Sequence, residues 1–297
     1  MITDALWLDV DKDNIEDLVV VGEWMPIRFF KNTKKKLVEI TNKTTLLNNT
    51  GMWRSLASAD LDGDGDLDLV VGNYGQNNKY HVSSERPFYL FAKDLDNSGS
   101  NELMPAYHIR NAAGEFELFP DFDRNQIAEQ TPIIKKKYLY HKDFAQVTMN
   151  QLVDDFGKDN LLTLTCENTK SVWLENIRKG QFKSHDLPIE AQFAPVNCLL
   201  ISDFDGDGKQ DILLAGNEYQ TEYSTGRTDA SLGLFLKGNG KGNFKSFPFH
   251  KSGFLVEGDV KSMLFINNQV VVGINNEPIK VFKTRFNDFR SVAKSKK

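Results

Sequence analysis

The sequence predicts an all-β protein built from repeated four-stranded antiparallel sheets, and three observations carry that expectation. Short segments rich in Val, Leu, Ile, Phe and Trp, such as "IRFF", "SVWLENI", "LGLFLKG" and "VVVGI", recur between Gly, Asn and Asp clusters, the pattern of strands bounded by turns. An acidic stretch recurs on the template D-x-D-x-[DS]-x-x-x-[DE], as "DVDKDNIED" from Asp9, "DLDGDGDLD" from Asp60, "DLDNSGSNE" from Asp94 and "DFDGDGKQD" from Asp203. A hairpin recurs too, in "IRFFKNTKKKLVEIT", "VWLENIRKGQFKSHDLP" and "LFLKGNGKGNFKSFP", each with an apolar strand, an Asn/Gly/Lys turn and a polar strand.

The order of these pieces defines the repeat. Three of the four acidic stretches run straight into "DLVVVG", "DLVVG" or "DILLAG", so the acidic loop joins one strand to the next. Strand, acidic loop, strand and hairpin make one four-stranded blade. Blades stacked radially bury both faces and leave only short edges, which is the arrangement of a β-propeller. The strand count gives about five blades, and only one strand precedes the first acidic loop. An incomplete propeller is therefore expected, its open faces calling for missing N-terminal blades or for self-association.

One segment breaks the pattern. Residues 121–158 lose the two-residue alternation and gain helix signals: Asp123 with Gln126 and Thr148 with Gln151 as capping boxes, and Gly157 as a stop. A small helical insertion is expected there, which accounts for an interval of 109 residues between the third and fourth acidic stretches against 51 and 34 before it. The β domain then covers residues 1–285 and a basic tail follows at 286–297.

Composition narrows the classes. With 297 residues and 40% hydrophobic content the chain can bury one large core or two ordinary ones. The apolar runs reach about six residues, against roughly 20 for a membrane-spanning helix, so no membrane span is expected. The first residues, "MITDALWLDVDKD", lack the basic and apolar regions of a signal peptide. Cys166 and Cys198 each sit in an apolar stretch and read as buried strand residues, with a disulfide between them left open. "GNGKGN" at 238–243 joins two strands and precedes no helix, so it is a hairpin turn and not a phosphate loop. The histidines are scattered, and no H-E-x-x-H or G-x-S-x-G motif occurs.

The acidic stretches carry the chemistry. Hard Ca²⁺ takes six to eight oxygen ligands, and a loop supplies them from alternate side chains and a backbone carbonyl. In the second loop these are Asp60, Asp62, Asp64 and Asp68 with the carbonyl of Asp66, while Gly63 and Gly65 permit the tight turn. The fourth repeats the set with Asp203, Asp205, Asp207, Asp211 and the Lys209 carbonyl. The first has Asp9, Asp11, Asp13 and Asp17 with the Ile15 carbonyl, Lys12 and Asn14 replacing the glycines. The third offers Asp94, Asp96 and Glu102, with Ser98 in place of an aspartate and the Ser100 carbonyl, and is expected to bind most weakly. Metal-free Asp/Gly turns are the alternative. An EF-hand is excluded, because the ninth position closes the loop and strands follow. Four bound Ca²⁺ would move the formal charge from −5 to +3, too small a balance to argue for nucleic acid.

These loops, the "DLVVG" strands and the "LFLKGNGKGNF" hairpin resemble the FG-GAP/VCBS repeat family. The resemblance implies integrin-alpha-like β-propeller blades with Ca²⁺ in the inter-strand loops. Through "GEWMPI", "GNYGQNN", "GRTDASLGLFL" and "NNEPIKVF" the chain is also similar to the C-terminal part of bacterial VCBS-repeat proteins that carry an ASPIC/UnbV domain. The family is exported or held at the cell surface, so the lack of a signal implies a fragment or a displaced start.

Function is read from what remains. A non-catalytic module for ligand binding or adhesion, its partner a glycan or protein, is the leading expectation. A calcium-dependent polysaccharide lyase, using Lys, Arg, Tyr or His as acid and base, and a structural spacer in a larger surface protein are the alternatives. The ligand site is expected where long polar loops leave the scaffold. These are the helical segment with Arg124, Lys136, Tyr138 and His141, and the loop at 217–231 with Glu218, Tyr219, Arg227 and Asp229. The competing readings are a solvated face for the helical segment and an Arg227–Asp229 pair that only braces its loop.

Overall fold

The structure is a computed structural model that describes residues 1–46, 49–178, 180–222 and 225–284, so the tail expected at 286–297 lies outside the described residues. The chain forms two compact units: one holds residues 1–79 and the chain from Thr169 onward, the other residues 80–168. Both are built mainly of antiparallel sheet.

In the first unit, β1 (Ile2–Leu8), β2 (Asp17–Pro26), β3 (Arg28–Asn32) and β4 (Leu37–Glu39) form a meander, and short β5 (Thr50–Met52) pairs with the far end of β2. Next come β6 (Ser55–Ala59) and β7 (Asp68–Gly72). The second unit then interrupts this sheet. It contains β8 (Phe88–Lys93), β9 (Glu102–Arg110), β10 (Phe116–Pro120), helices α1 (Arg124–Gln130), α2 (Ile133–Lys137), α3 (His141–Phe144) and α4 (Met149–Phe156), and β11 (Leu162–Cys166). The chain returns as β12 (Val172–Arg178), which pairs with β7, and β13 (Gln181–Asp186). A third meander follows, β14 (Cys198–Ser202), β15 (Asp211–Ala215), β16 (Leu234–Gly238) and β17 (Phe244–Phe247). After a short helix, α5 (Phe249–Ser252), the three-stranded sheet β18 (Val260–Ile266), β19 (Gln269–Ile274), β20 (Lys280–Lys283) ends the described chain.

The apolar runs are continuous because both faces of a middle sheet are buried. Side chains alternate along a strand, and in β7 Leu69 and Val71 enter one core with Val19, Phe29 and Leu174, while Val70 enters the next with Trp173, Ile212 and Leu214. In β15 the alternation repeats, Ile212 and Leu214 facing one side and Leu213 and Ala215 the other. The first strands of successive sheets adjoin, β1 to β6, β6 to β14 and β14 to β18. Among the described residues β18 and β1 share no comparable packing. The two end sheets each keep an apolar outer face, with Trp7 on the first and Leu264, Ile266 and Val281 on the last exposed by half or more.

Gly72 marks how closely two of these sheets approach, since a Cβ there would come within 2.5 Å of the Val196 carbonyl oxygen. Cys166 and Cys198 are both buried, and no disulfide links them.

The helical signals were read correctly but their setting was not. Both capping boxes are present, on Asp123 and Thr148. The helices pack on a four-stranded sheet of their own, ordered β10-β9-β8-β11, whose core includes Phe91, Met104, Ile127, Ile134 and Leu152. The interruption therefore covers 80–168 and includes the third acidic loop, so of the five sheets only four belong to the first unit.

Candidate metal centres and ligand surface

Every acidic loop joins the first two strands of its meander or, in the second unit, β8 to β9. All four curl alike. The leading aspartate accepts backbone N–H groups from its own loop: Asp9 from Asp13 and Asn14, Asp60 from Gly63 and Gly65, Asp94 from Ser98 and Gly99, Asp203 from Gly206 and Gly208, at 2.7–3.1 Å. This curl requires positive φ at the fourth and sixth positions, +85° and +84° at Gly63 and Gly65, and in the first loop Lys12 and Asn14 adopt it at +61° and +64°. The residues expected to offer carbonyls are anchored as well. Ile15, Asp66 and Lys209 each donate N–H to the aspartate two residues earlier, and Ser100 donates to the Ser98 hydroxyl.

The curl gathers carboxylates. Asp60, Asp62 and Asp68 each bring an oxygen within 4.8 Å of the other two, as do Asp203, Asp205 and Asp211, then Asp94, Asp96 and Glu102, and in the first loop Asp9, Asp11 and Asp13. Asp64, Asp207 and Asp17 stand outside these tightest groups. Dense carboxylate oxygen of this kind is the donor set a hard divalent cation requires.

The ninth residue has a second task that spacing does not reveal. Buried Asp68 accepts N–H from Leu61 at 3.0 Å and from Asn176 of β12 at 2.8 Å, and Asp211 accepts from Phe204 at 3.1 Å and Gly238 of β16 at 2.9 Å. Asp17 accepts from Asn32 at 2.8 Å and Glu102 from Leu95 at 2.7 Å. In the first unit this carboxylate thus ties the loop to the third strand of its sheet. Burial pushes Asp68 and Asp211 each up to about 6, and raises Asp17. One oxygen of Asp17 is buried with no hydrogen bond.

Neighbouring charge then separates loops that look equivalent in sequence. Cross-strand pairs Leu18–Phe30, Leu69–Leu174 and Ile212–Leu236 align the three sheets, and the next residue on the third strand is Lys31, Glu175 and Lys237 respectively. Lys31 donates to Asp11 at 2.6 Å and Asp13 at 2.5 Å. Lys237 donates to Asp205 and lies 3.1 Å from Asp207. Burial alone would lower both ammonium pKa values; hydrogen bonds to the aspartates outweigh it and raise them. In the second loop the corresponding Glu175, held by His185 at 2.7 Å, adds negative charge. Burial raises the pKa of Asp62, with Asp64, Asp60 and Glu175 adding to the rise. No lysine among the described residues pairs with Asp60, Asp62 or Asp68; the nearby Lys12 pairs with Asp66. In the third loop Asp96 accepts the Thr131 hydroxyl at 3.1 Å.

The residues expected to form one ligand face divide between the units. Arg124, Lys136, Tyr138 and His141 belong to the second and Glu218, Tyr219, Arg227 and Asp229 to the first. Several are braces. Arg124 donates to the Tyr138 carbonyl, and the Tyr138 hydroxyl donates to Asp155, itself paired with Lys137 at 2.7 Å. Lys136 and His141 are exposed. The Arg227 guanidinium lies 5.0 Å over the Tyr219 ring, and Asp229 is exposed. Glu218 joins a cluster that sequence reasoning missed. Arg54 pairs with Glu23 at 3.0 Å and Glu218 at 3.4 Å and lies 5.6 Å over Tyr74, while Lys261 pairs with Glu218 at 3.3 Å and Asp259 at 2.8 Å. These residues sit at strand ends far apart in sequence, where no local pattern announces them.

Comparison with known proteins adds three findings. The FG-GAP-like repeat family matches residues 9–71, the span from the first acidic loop through β7. The "T-cell immunomodulatory protein" of Mus musculus is 26% identical over 239 residues and that of Rattus norvegicus 26% over 237, and each alignment takes 72% of this chain. The chain spans 38% of the length of those relatives. The crystal structure of the V. cholerae biofilm matrix protein Bap1 aligns with 96% of this chain and 63% of that one, at 10% identity and a TM-score of 0.28, too low to specify a shared fold.

Proposed function

Starting from an FG-GAP-like repeat at residues 9–71, we propose that this chain is a calcium-binding β-propeller-type module that binds a ligand or mediates adhesion at a cell surface, without catalysis. The observation that carries the reading is the shared construction of the four acidic loops: the same curl, each bringing three carboxylates within 4.8 Å. Unpaired, such groups repel one another at the edge of an apolar core; a divalent cation converts that cost into a tie between strands. Stacked meanders with adjoining first strands support blades of a propeller arc, and the likeness to an immunomodulatory protein supports a recognition role. Among the described residues no helix is long and apolar enough to cross a membrane.

In this reading Asp60, Asp62 and Asp68 hold the strongest ion, since no lysine among the described residues pairs with those three carboxylates, and the loops at Asp9 and Asp203 exchange a lysine ammonium for calcium. Bound calcium would supply charge neutralisation and rigid loop geometry. The Arg54 and Lys261 cations are already matched by Glu23, Glu218 and Asp259, which favours bracing of that end of the sheets over acid–base work. A glycan array probed with and without calcium, and scored for cleavage as well as binding, tests the function. Calcium-dependent retention with intact glycans is expected; cleavage of a retained polysaccharide would replace the binder with a lyase.

A further inference from the structure

We propose that the second unit carries a binding site for an acidic sugar, a uronate ring, in the pocket between its sheet and the start of α4. The proposal rests on the ligand-binding reading above and gives it a site and a ligand class. The pocket measures about 420 Å³, within the range of about 300–1,000 Å³ that ligand sites occupy.

Register builds it. On the sheet face that meets the helices, Phe91 pairs with Thr163, His108 with Leu118, and Arg110 with Phe116. Helices α1 to α4 cover the centre of that face through Phe91, Met104 and Ala106. Where they end, Tyr89, Phe91 and His108 remain as a wall, the Tyr89 ring 5.7 Å from Phe91 and 6.0 Å from His108. Aromatic faces carry partial negative charge and suit the C–H faces of a sugar ring.

Polar groups complete it. Thr148 and Asn150, at the first turn of α4, line the opposite side, and the Asn150 amide has no partner among the described residues. His108 lines the pocket with its ring, and its Nδ1 atom is buried without a hydrogen bond. Burial lowers the His108 pKa against the Pro87 carbonyl, which raises it, and Arg86 lowers it further.

Charge selects the acid. The guanidinium groups of Arg86 and Arg110 lie 4.1 and 4.5 Å over the Phe116 ring that lines the pocket. Neither has a carboxylate partner among the described residues; Arg110 donates only to the Gly114 carbonyl, at 2.7 Å. Neither arginine is itself part of the pocket lining, but both place positive charge beside the Phe116 ring that is, and arginine binds a carboxylate in bidentate fashion. Glu117 on the same lining disfavours a densely charged anion and accepts sugar hydroxyls.

The test titrates the full chain, in calcium, with trimers of galacturonate, glucuronate and mannuronate and with the matching neutral galactose, glucose and mannose trimers, read by calorimetry. At least one uronate trimer binds, its neutral counterpart binds at least tenfold more weakly, and Arg86→Ala with Arg110→Ala together weaken the uronate at least tenfold. Tyr89→Ala weakens it as well and Tyr89→Phe does not, which separates stacking from misfolding; calcium content stays the same in every variant. Equal affinity for neutral trimers, or no uronate binding, overturns the proposal. Uronate binding that survives the double arginine change overturns the pocket while leaving a ligand-binding module in place.

Discussion

Replacing Lys237 by Gln should tighten calcium binding at the loop of Asp203. The ammonium donates to Asp205 and stands 3.1 Å from Asp207, so an arriving ion meets a positive charge already seated on its ligands. Two unit charges 4 Å apart interact by about 1 kcal/mol in water and about 4 at an effective dielectric of 20, and a divalent ion doubles either figure. The Lys237 side chain is 37% exposed and can swing outward, which discards most of that repulsion. A net gain of about 1.4–2.8 kcal/mol remains, roughly ten- to hundredfold in affinity. Calcium calorimetry of the two proteins reads this directly, with Lys241→Gln in the exposed hairpin turn as the control for net charge. Unchanged or weaker binding in Lys237→Gln would refute the idea that lysine and calcium compete for these carboxylates.

Other outcomes follow from the same geometry. Asp62→Ala should lower the melting temperature in calcium more than Ser98→Ala, because it removes a carboxylate from the trio Asp60, Asp62 and Asp68, with which no lysine among the described residues pairs; calorimetric melting compares them. In metal-stripped protein, stability should rise between pH 7 and pH 5. Asp68 and Asp211 titrate near 6 when folded against an ordinary 3.8, so the folded state binds protons first and gains stability as pH falls. With calcium bound the trend reverses, since protons then displace the ion; a stripped protein that loses stability over this range would contradict the burial of these carboxylates. Gly72→Ala should cost about 1–3 kcal/mol in denaturant unfolding, as its Cβ would meet the Val196 carbonyl oxygen at 2.5 Å and the Ser55 hydroxyl.

Much of this was legible because the determinants are local. Continuous apolar runs straight after the acidic loops marked "DLVVG" and "DILLAG" as strands, and all five residues of β7 and of β15 are buried. The acidic loops were legible for the same reason, since the curl and the carboxylates it gathers lie within nine residues. What stayed hidden is non-local. That β7 pairs with β12, about a hundred residues on, cannot be seen in either segment, so the inserted unit was reduced to its helices. Lys31 and Lys237 looked like ordinary hairpin residues until register set them over the carboxylates. Arg124 and Tyr138 read as free binding groups because their partners, a backbone carbonyl and Asp155, lie 14 and 17 residues away around a helical turn.

The most direct test of the account is calcium content together with thermal stability. Protein purified in calcium and dialysed should retain at least one ion per chain by elemental analysis, lose it in Asp60→Ala/Asp62→Ala, and melt at a substantially lower temperature in excess chelator, because a ligand that binds only the native state stabilises it by mass action. No bound calcium, with a melting curve that chelator leaves unchanged, would contradict it.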